Sequence, residues 1–146
     1  MEDDITVFIG LDVHKDSIAV AAADAGRCPP RFVGSCAPKM KELGKTLSHL
    51  GEPAHALLAY EAGPTGFALA RELAAHGWRC QVIAVSKTPR RPGERIKTDR
   101  RDALSLAGYL RSGELTPVTI PDARDEAIRD LCRAREGAVR ARLKAR

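Results

Sequence analysis

Apolar residues run almost without a break from Ile5 to Val13, the pattern of a strand buried on both faces. A second run, Ser17 to Ala23, follows across the turn His14-Lys15-Asp16. Asp24-Ala25-Gly26 turns the chain again, and Arg31 to Cys36, closed by Pro38, is a short third strand. Three consecutive short strands with brief connections predict an antiparallel meander. Downstream the period changes: Met40, Leu43, Leu47 and Leu50 recur at helical spacing, and Gly51 ends that helix. Ala56 to Tyr60 is an apolar strand that runs straight into Glu61. Gly63-Pro64-Thr65 opens a helix whose apolar residues are Phe67, Leu69, Ala70, Leu73 and Ala74, and Gly77 stops it. Cys80 to Val85 is a fifth strand, and Ser86 to Lys97 a basic loop with two prolines. Thr98 to Leu110 is a helix stopped by Gly113, Glu114 to Pro121 is extended, and Asp122 to Arg146 is one long helix. A meander followed by alternating helix and strand predicts an α/β fold, a mixed five-stranded sheet with flanking helices. The expected division is a catalytic-type domain over 1–113, a linker over 114–121 and a long helix over 122–146.

Composition narrows the class. A chain of 146 residues with 44% hydrophobic residues suits one domain with its own core and makes disorder a poor default. Aromatics are only 4%, so aliphatic side chains must fill that core. Cys28, Cys36, Cys80 and Cys132 are too scattered for a zinc site or a disulfide framework and read as small apolar filler. The acidic start Met1-Glu2-Asp3-Asp4 lacks the plan of a signal peptide, and no apolar stretch approaches the ~20 residues of a membrane span, so a cytoplasmic location is expected. Charge is unevenly placed. Residues 1–86 hold eight Lys/Arg against ten Asp/Glu, and residues 87–146 hold sixteen against nine. The basic half fits a polyanionic partner, although a solvated Arg-rich helical surface has the same composition.

Four carboxylates change the picture further. Asp12 ends the first buried strand and Glu61 the fourth, positions where an acid needs a reason. Chemistry in such sheets gathers at strand ends. Asp99 and Asp102 are three apart on a helix and share the face that continues through Ala103, Leu106, Ala107 and Leu110. Packed together, four acids repel one another. A pair of Mg²⁺ (or Mn²⁺) ions removes that conflict, because hard cations take carboxylate oxygens. Two such ions ~3.5–4 Å apart activate a water and steady the leaving oxygen of a phosphodiester. The preceding loop, with Lys87, Arg90, Arg91, Arg95 and Lys97, and the helical Arg100 and Arg101 would face a nucleic-acid backbone. Each acid also has a plain structural reading, as a strand end, a helix cap or a dipole-favoured first turn after Thr98.

The segments Phe8-Ile-Gly-Leu-Asp12-Val-His-Lys15, Tyr60-Glu61-Ala-Gly and Ile96-Lys97-Thr98-Asp99-Arg-Arg-Asp102-Ala103 resemble the DEDD transposases of bacterial insertion sequences. That family includes the bridge-RNA-guided recombinases and is related to the Piv-type DNA invertases. The resemblance covers residue 5 to about residue 112. It implies a RuvC-like domain of the ribonuclease-H fold, with Asp12, Glu61, Asp99 and Asp102 as the metal-binding catalytic tetrad. It implies metal-dependent DNA transposition and recombination, DNA as partner, and a homo-oligomer in the full-length protein; a guide RNA stays open. It also implies a following coiled coil and a second domain with a catalytic serine. The chain ends at Arg146, so that serine is expected to lie outside it, and Ser86, Ser105 and Ser112 are expected on loops or helix surfaces.

The last segment spaces Ala127, Leu131, Ala134, Ala138, Ala141 and Ala145 as a short heptad seam, weakened by Gly137. Two other functions fit parts of the pattern. An actin- or sugar-kinase-like ATPase also starts with strand-Asp-turn-strand, but wants Gly, Thr or Ser where His14-Lys15 stand. A catalytically silent nucleic-acid-binding or dimerisation module would use the basic half alone.

Overall fold

The computed structural model describes residues 4–63, 65–90, 92 and 96–146. In chain order the elements are β1 (Val7–Val13), β2 (Ile18–Asp24), β3 (Arg31–Cys36), α1 (Met40–Ser48), β4 (Ala56–Glu61), α2 (Ala68–Ala75), β5 (Arg79–Ile83), α3 (Asp99–Ser112) and α4 (Ala123–Lys144). Short 3-10 turns at Pro53–His55 and Val85–Lys87 precede β4 and follow β5. The strands form one sheet in the order β3-β2-β1-β4-β5. β1, β2 and β3 pair antiparallel, as the meander predicts, while β4 joins β1 and β5 joins β4 in parallel. This is the ribonuclease-H-like mixed sheet expected from the sequence, with helices on its faces and a long helix at the C-terminal end.

Strand alternation divides the side chains between two unlike faces. One face carries Val7, Ile9, Leu11, Ile18, Val20, Leu58, Tyr60 and Val82, and buries them with Leu43 and Leu47 of α1 and Ala70 and Leu73 of α2. The other face carries Phe8, Ala19, Ala21, Ala23 and Ala59, and α3 lies against it through Ala103, Leu106, Ala107 and Leu110. The reason for small residues there is visible at Gly10. A Cβ on Gly10 would stand 2.4 Å from the Ala103 carbonyl oxygen and 2.6 Å from the Ala107 nitrogen, so only glycine lets α3 approach this closely.

The helix boundaries have local causes. Thr98 is the N-cap of α3, its side chain accepting the Arg101 N–H at 3.2 Å. Gly113 closes the helix in the left-handed region at φ 74°, with the Glu114 N–H bonded to the Tyr109 carbonyl at 3.0 Å. The helix therefore runs two residues beyond the predicted Leu110. The fifth strand ends at Ile83 rather than Val85, because the chain there tightens into the 3-10 turn.

Residues 114–121 run back along β5: Ile83 bridges to Pro117, and the Val118 N–H bonds the Val82 carbonyl at 2.8 Å. Val118 and Ile120 pack on the main core. Arg71 of α2 then holds the start of α4, donating to the Glu126 carboxylate and, at 2.6 Å, to the Pro121 carbonyl. No residue of α4 is buried. Two of the four cysteines, Cys36 and Cys80, are partly buried filler as expected, but Cys28 and Cys132 are exposed. No helix of the described residues is long and apolar enough to cross a membrane.

Candidate metal centre

Asp12 and Glu61 leave the sheet on the same face. β1 and β4 run parallel with Gly10 beside Ala59 and Leu11 beside Tyr60, so one step further Asp12 and Glu61 stand side by side. By alternation both share the α3 face with Gly10 and Ala59. Asp102 sits in the first turn of α3, the helix that Gly10 admits close to β1. Asp12, Glu61 and Asp102 consequently line one cleft of about 190 Å³. Arg90, Lys97 and Arg101 are on its walls, with Ser105 and Tyr109 one and two turns along α3.

Asp99 reaches the group by another route. His14 Nε2 lies 2.8 Å from Asp12 Oδ2 and 3.1 Å from Asp99 Oδ1, bridging the two carboxylates. One ligand atom from each of Asp12, His14 and Asp99 falls within 4.8 Å of the others. All four predicted acids thus come to one end of the sheet: three in the cleft, the fourth joined through a histidine.

The electrostatics are those of a crowded acidic site. Burial raises the Asp12 carboxyl above its ordinary value, opposed by the hydrogen bond and charge of His14 and reinforced by the charge of Asp99. Burial also raises Asp102, opposed by Lys97 and reinforced by the charges of Asp12, Glu61 and Asp99. His14 is raised in turn, chiefly by its hydrogen bond to Asp12. Lys97 is the cation facing Asp102, but its ammonium is 3.8 Å away and its side chain is 78% exposed. Asp102 Oδ2 is shielded from solvent and accepts no hydrogen bond among the described residues. A buried carboxylate oxygen without a donor is unusual, because its desolvation goes uncompensated. That orphaned oxygen, and a set made of carboxylates, fits a hard divalent cation.

The expected basic residues divide. Arg90, Lys97 and Arg101 join the cleft, and Arg101 is steadied by a 3.1 Å hydrogen bond to the Ile96 carbonyl. Arg100 turns away and lies over the Phe32 ring at 5.1 Å from its centroid. Lys87 is exposed in the 3-10 turn after β5. Arg91 and Arg95 lie outside the described residues. Ser86 and Ser112 are exposed as expected, whereas Ser105 is half-buried on the cleft wall, because it follows Asp102 by one turn on the same helix face.

Sequence reasoning passed over His14, treating it as a turn residue. The available signal was parity: two residues beyond Asp12, it continues the same side of the strand. Its N–H bonds the Ser17 carbonyl at 2.9 Å, which fixes the β1–β2 turn and holds the ring beside the acids. Tyr60 contributes from the opposite face. Its hydroxyl donates to the Gly66 carbonyl at 2.8 Å and accepts the Ala70 N–H at 3.3 Å, fixing the turn that follows Glu61.

Comparison with known proteins places the chain in a family. The family model of the DEDD transposases of IS110 elements, described as Transposase, matches residues 9–146. The y4qE protein of Sinorhizobium fredii, named as a transposase, is 45% identical over 134 residues, covering 90% of this chain and 34% of its own length. The transposase for insertion sequence element IS1533 of Leptospira borgpetersenii is 34% identical over 134 residues, covering 89% of this chain and 38% of its own length. The chain spans little more than a third of the length of these curated relatives. On the family match over nearly its whole length, the chain belongs to the DEDD transposase family of bacterial insertion sequences.

Proposed function

We propose that this chain is the metal-dependent catalytic domain of a DNA transposase, acting on phosphodiester bonds through Asp12, Glu61, Asp99 and Asp102. The observation that carries the reading is the meeting of Asp12, Glu61 and Asp102 in one cleft, with Asp102 Oδ2 shielded and without a donor. Mg²⁺ or Mn²⁺, as one or two ions, would be held by these carboxylates. When bound, the metal supplies charge that favours an attacking oxygen and stabilises a departing one. The chain's own residues do the rest. Gly10 admits α3 so that Asp102 faces Asp12 across the cleft. Tyr60 fixes the turn after Glu61. Arg90, Lys97 and Arg101 would take the phosphates of a DNA strand, orienting it without reading its bases.

Strand exchange needs one phosphodiester broken and another made at a new end. By the resemblance, the nucleophilic serine for that exchange belongs to a further domain of the full-length protein. α4 supports a homo-oligomer in that longer protein: Ile128, Leu131, Val139 and Leu143 are 50%, 71%, 50% and 65% exposed, more apolar surface than a helix keeps bare when paired. A guide RNA would add a second polyanion to the same basic half.

The test is titration of the 146-residue chain with Mn²⁺ and with Mg²⁺ by calorimetry. Asp12→Asn should weaken binding at least about tenfold while leaving the fold intact by circular dichroism. Unchanged metal binding, together with DNA binding indifferent to metal, would favour a catalytically silent nucleic-acid module instead.

A further inference from the structure

His14 stands between two carboxylates of the tetrad. Its Nε2 is 2.8 Å from Asp12 Oδ2 and 3.1 Å from Asp99 Oδ1. A simple ion pair would explain one of these contacts. The same nitrogen also faces a second acid, so that groups from a strand and from a helix converge on one atom. Ligand atoms at neighbouring positions around an octahedral ion, each ~2.1 Å from the metal, stand ~3 Å from one another. The contacts of Nε2 with both oxygens have that spacing. Two local bonds place the partners: the His14 backbone N–H bonds the Ser17 carbonyl, and the Thr98 side chain caps the helix that begins at Asp99.

We propose that His14 is itself a ligand of the metal centre, binding through Nε2 between Asp12 and Asp99, and that this nitrogen makes the centre prefer Mn²⁺ to Mg²⁺. The inference rests on the metal-centre reading above and adds a fifth donor to it. Carboxylate oxygens suit Mg²⁺ and Mn²⁺ alike, whereas imidazole is a softer ligand that Mg²⁺ accepts poorly. A centre of oxygens alone discriminates little between the two ions; one imidazole tilts it. A metal bound through Nε2 needs that nitrogen without a proton, so the ligand is the neutral imidazole with its ring proton on Nδ1. The side chain is 46% exposed, so water reaches it.

Pulsed electron paramagnetic resonance of the Mn²⁺-loaded chain tests this directly. The expected spectrum carries nitrogen modulation from one coordinated imidazole, and His14→Ala removes it. The chain has four histidines, and two of the others are engaged elsewhere: His55 Nδ1 contacts the Asp4 carbonyl and His76 Nδ1 the Glu72 carbonyl. Calorimetry should show the ratio of Mn²⁺ to Mg²⁺ affinity falling about tenfold in His14→Ala. Bound Mn²⁺ with an oxygen-only spectrum in the unmodified chain overturns the proposal while sparing the carboxylate centre. Failure of the unmodified chain to bind Mn²⁺ at all overturns the centre and this inference together. The spectrum of the unmodified chain decides the matter even if the variant folds poorly.

Discussion

The two faces of the sheet solve different problems. Beneath α1 and α2, large branched and aromatic side chains interlock: Ile9, Leu11, Ile18, Leu58 and Tyr60 meet Leu43, Leu47 and Leu73. Beneath α3 the sheet offers mostly small residues, Gly10, Ala19, Ala21, Ala23 and Ala59, with the larger Phe8, Leu57 and Ile83 beside them. The first face buries more apolar surface per residue and so carries more of the stability. The second gives that up for proximity. At Gly10, with no side chain in the way, the backbone of α3 comes against β1, and the carboxylates at the end of each are held in one cleft. The lesson is that a site built from a strand end and a helix start needs a short spacer, and alanine with glycine is the shortest available.

The comparison breaks most visibly by truncating one face and filling the other. Leu58→Ala removes a fully buried side chain from the large-residue face and should cost about 3 kcal/mol of unfolding free energy. Metal affinity of the molecules that remain folded should stay unchanged, because Leu58 points away from the cleft. Gly10→Ala does the reverse. Its methyl meets the backbone of Ala103 and Ala107, so α3 must move, at a cost of about 2 kcal/mol. Displacement of α3 carries Asp102 with it, so metal binding should weaken by a larger factor than stability alone implies. Urea denaturation and calorimetry on both variants read the two effects. If Leu58→Ala loses metal affinity while Gly10→Ala keeps it, the division of labour between the faces is wrong.

Much of this arrangement is legible in the sequence, for reasons that differ by element. The near-continuous run through Ile9 and Leu11 and the alanine-rich β2 announce buried strands, and the turn residues fix their order. Asp12, Glu61, Asp99 and Asp102 stand out because acids at buried strand ends and on an apolar helix face are costly. What the sequence hides is distance. Nothing in the string shows that Gly10 is a contact point rather than a turn, since its partner Ala103 is far along the chain. His14 hides because it reads as a turn residue until the β1–β2 turn is seen to aim its ring at Asp99. Arg100 and Arg101, adjacent in sequence, diverge only because successive helix positions point about 100° apart, one to Phe32 and one to the cleft. The run from Glu114 to Pro121 looks like a free connection, and its packing on β5 depends on the register of Val118 with Val82.

A smaller effect separates the faces by pH. Burial pushes the Tyr60 hydroxyl from 10.0 up to about 12 and the Cys80 thiol from 9.0 up to about 12. Both groups are acids whose folded pKa lies above the unfolded one. Their contribution is therefore fully present below pH 9 and is lost as pH rises through about 12. Between pH 8 and pH 10.5 the protein should lose about 2 kcal/mol from this pair, most of it from Cys80. Urea midpoints at the two pH values, for the unmodified chain and for Cys80→Ala, check it. An equal loss in Cys80→Ala would remove Cys80 as the main source of the alkaline sensitivity.

The smallest effect is the one that sharpens the comparison most, because it asks whether the α3 face is held under tension by its acids. Asp102 Oδ2 is shielded and accepts no hydrogen bond among the described residues, and Lys97 stays 3.8 Å off. Burial and the charges of Asp12, Glu61 and Asp99 raise its pKa, so the folded state favours the protonated acid. The sign follows: stability from this group is full below its ordinary value of 3.8 and falls as pH rises through the raised folded pKa. At neutral pH the ionised side chain is therefore a cost. Asp102→Asn keeps the shape and removes the charge, and should stabilise the metal-free protein. Water reaches about a third of the side chain, which limits the gain to about 0.5 kcal/mol. The gain should shrink as pH falls below 3.8, where the acid is protonated in both states. With saturating Mn²⁺ the order should reverse, since the cation rewards the carboxylate and not the amide. Urea denaturation at neutral and acid pH, with chelator and with Mn²⁺, gives all four values. An asparagine variant that is less stable than the unmodified chain in chelator at neutral pH would mean that Asp102 is already satisfied by the protein, and that its position on α3 serves packing rather than a cation.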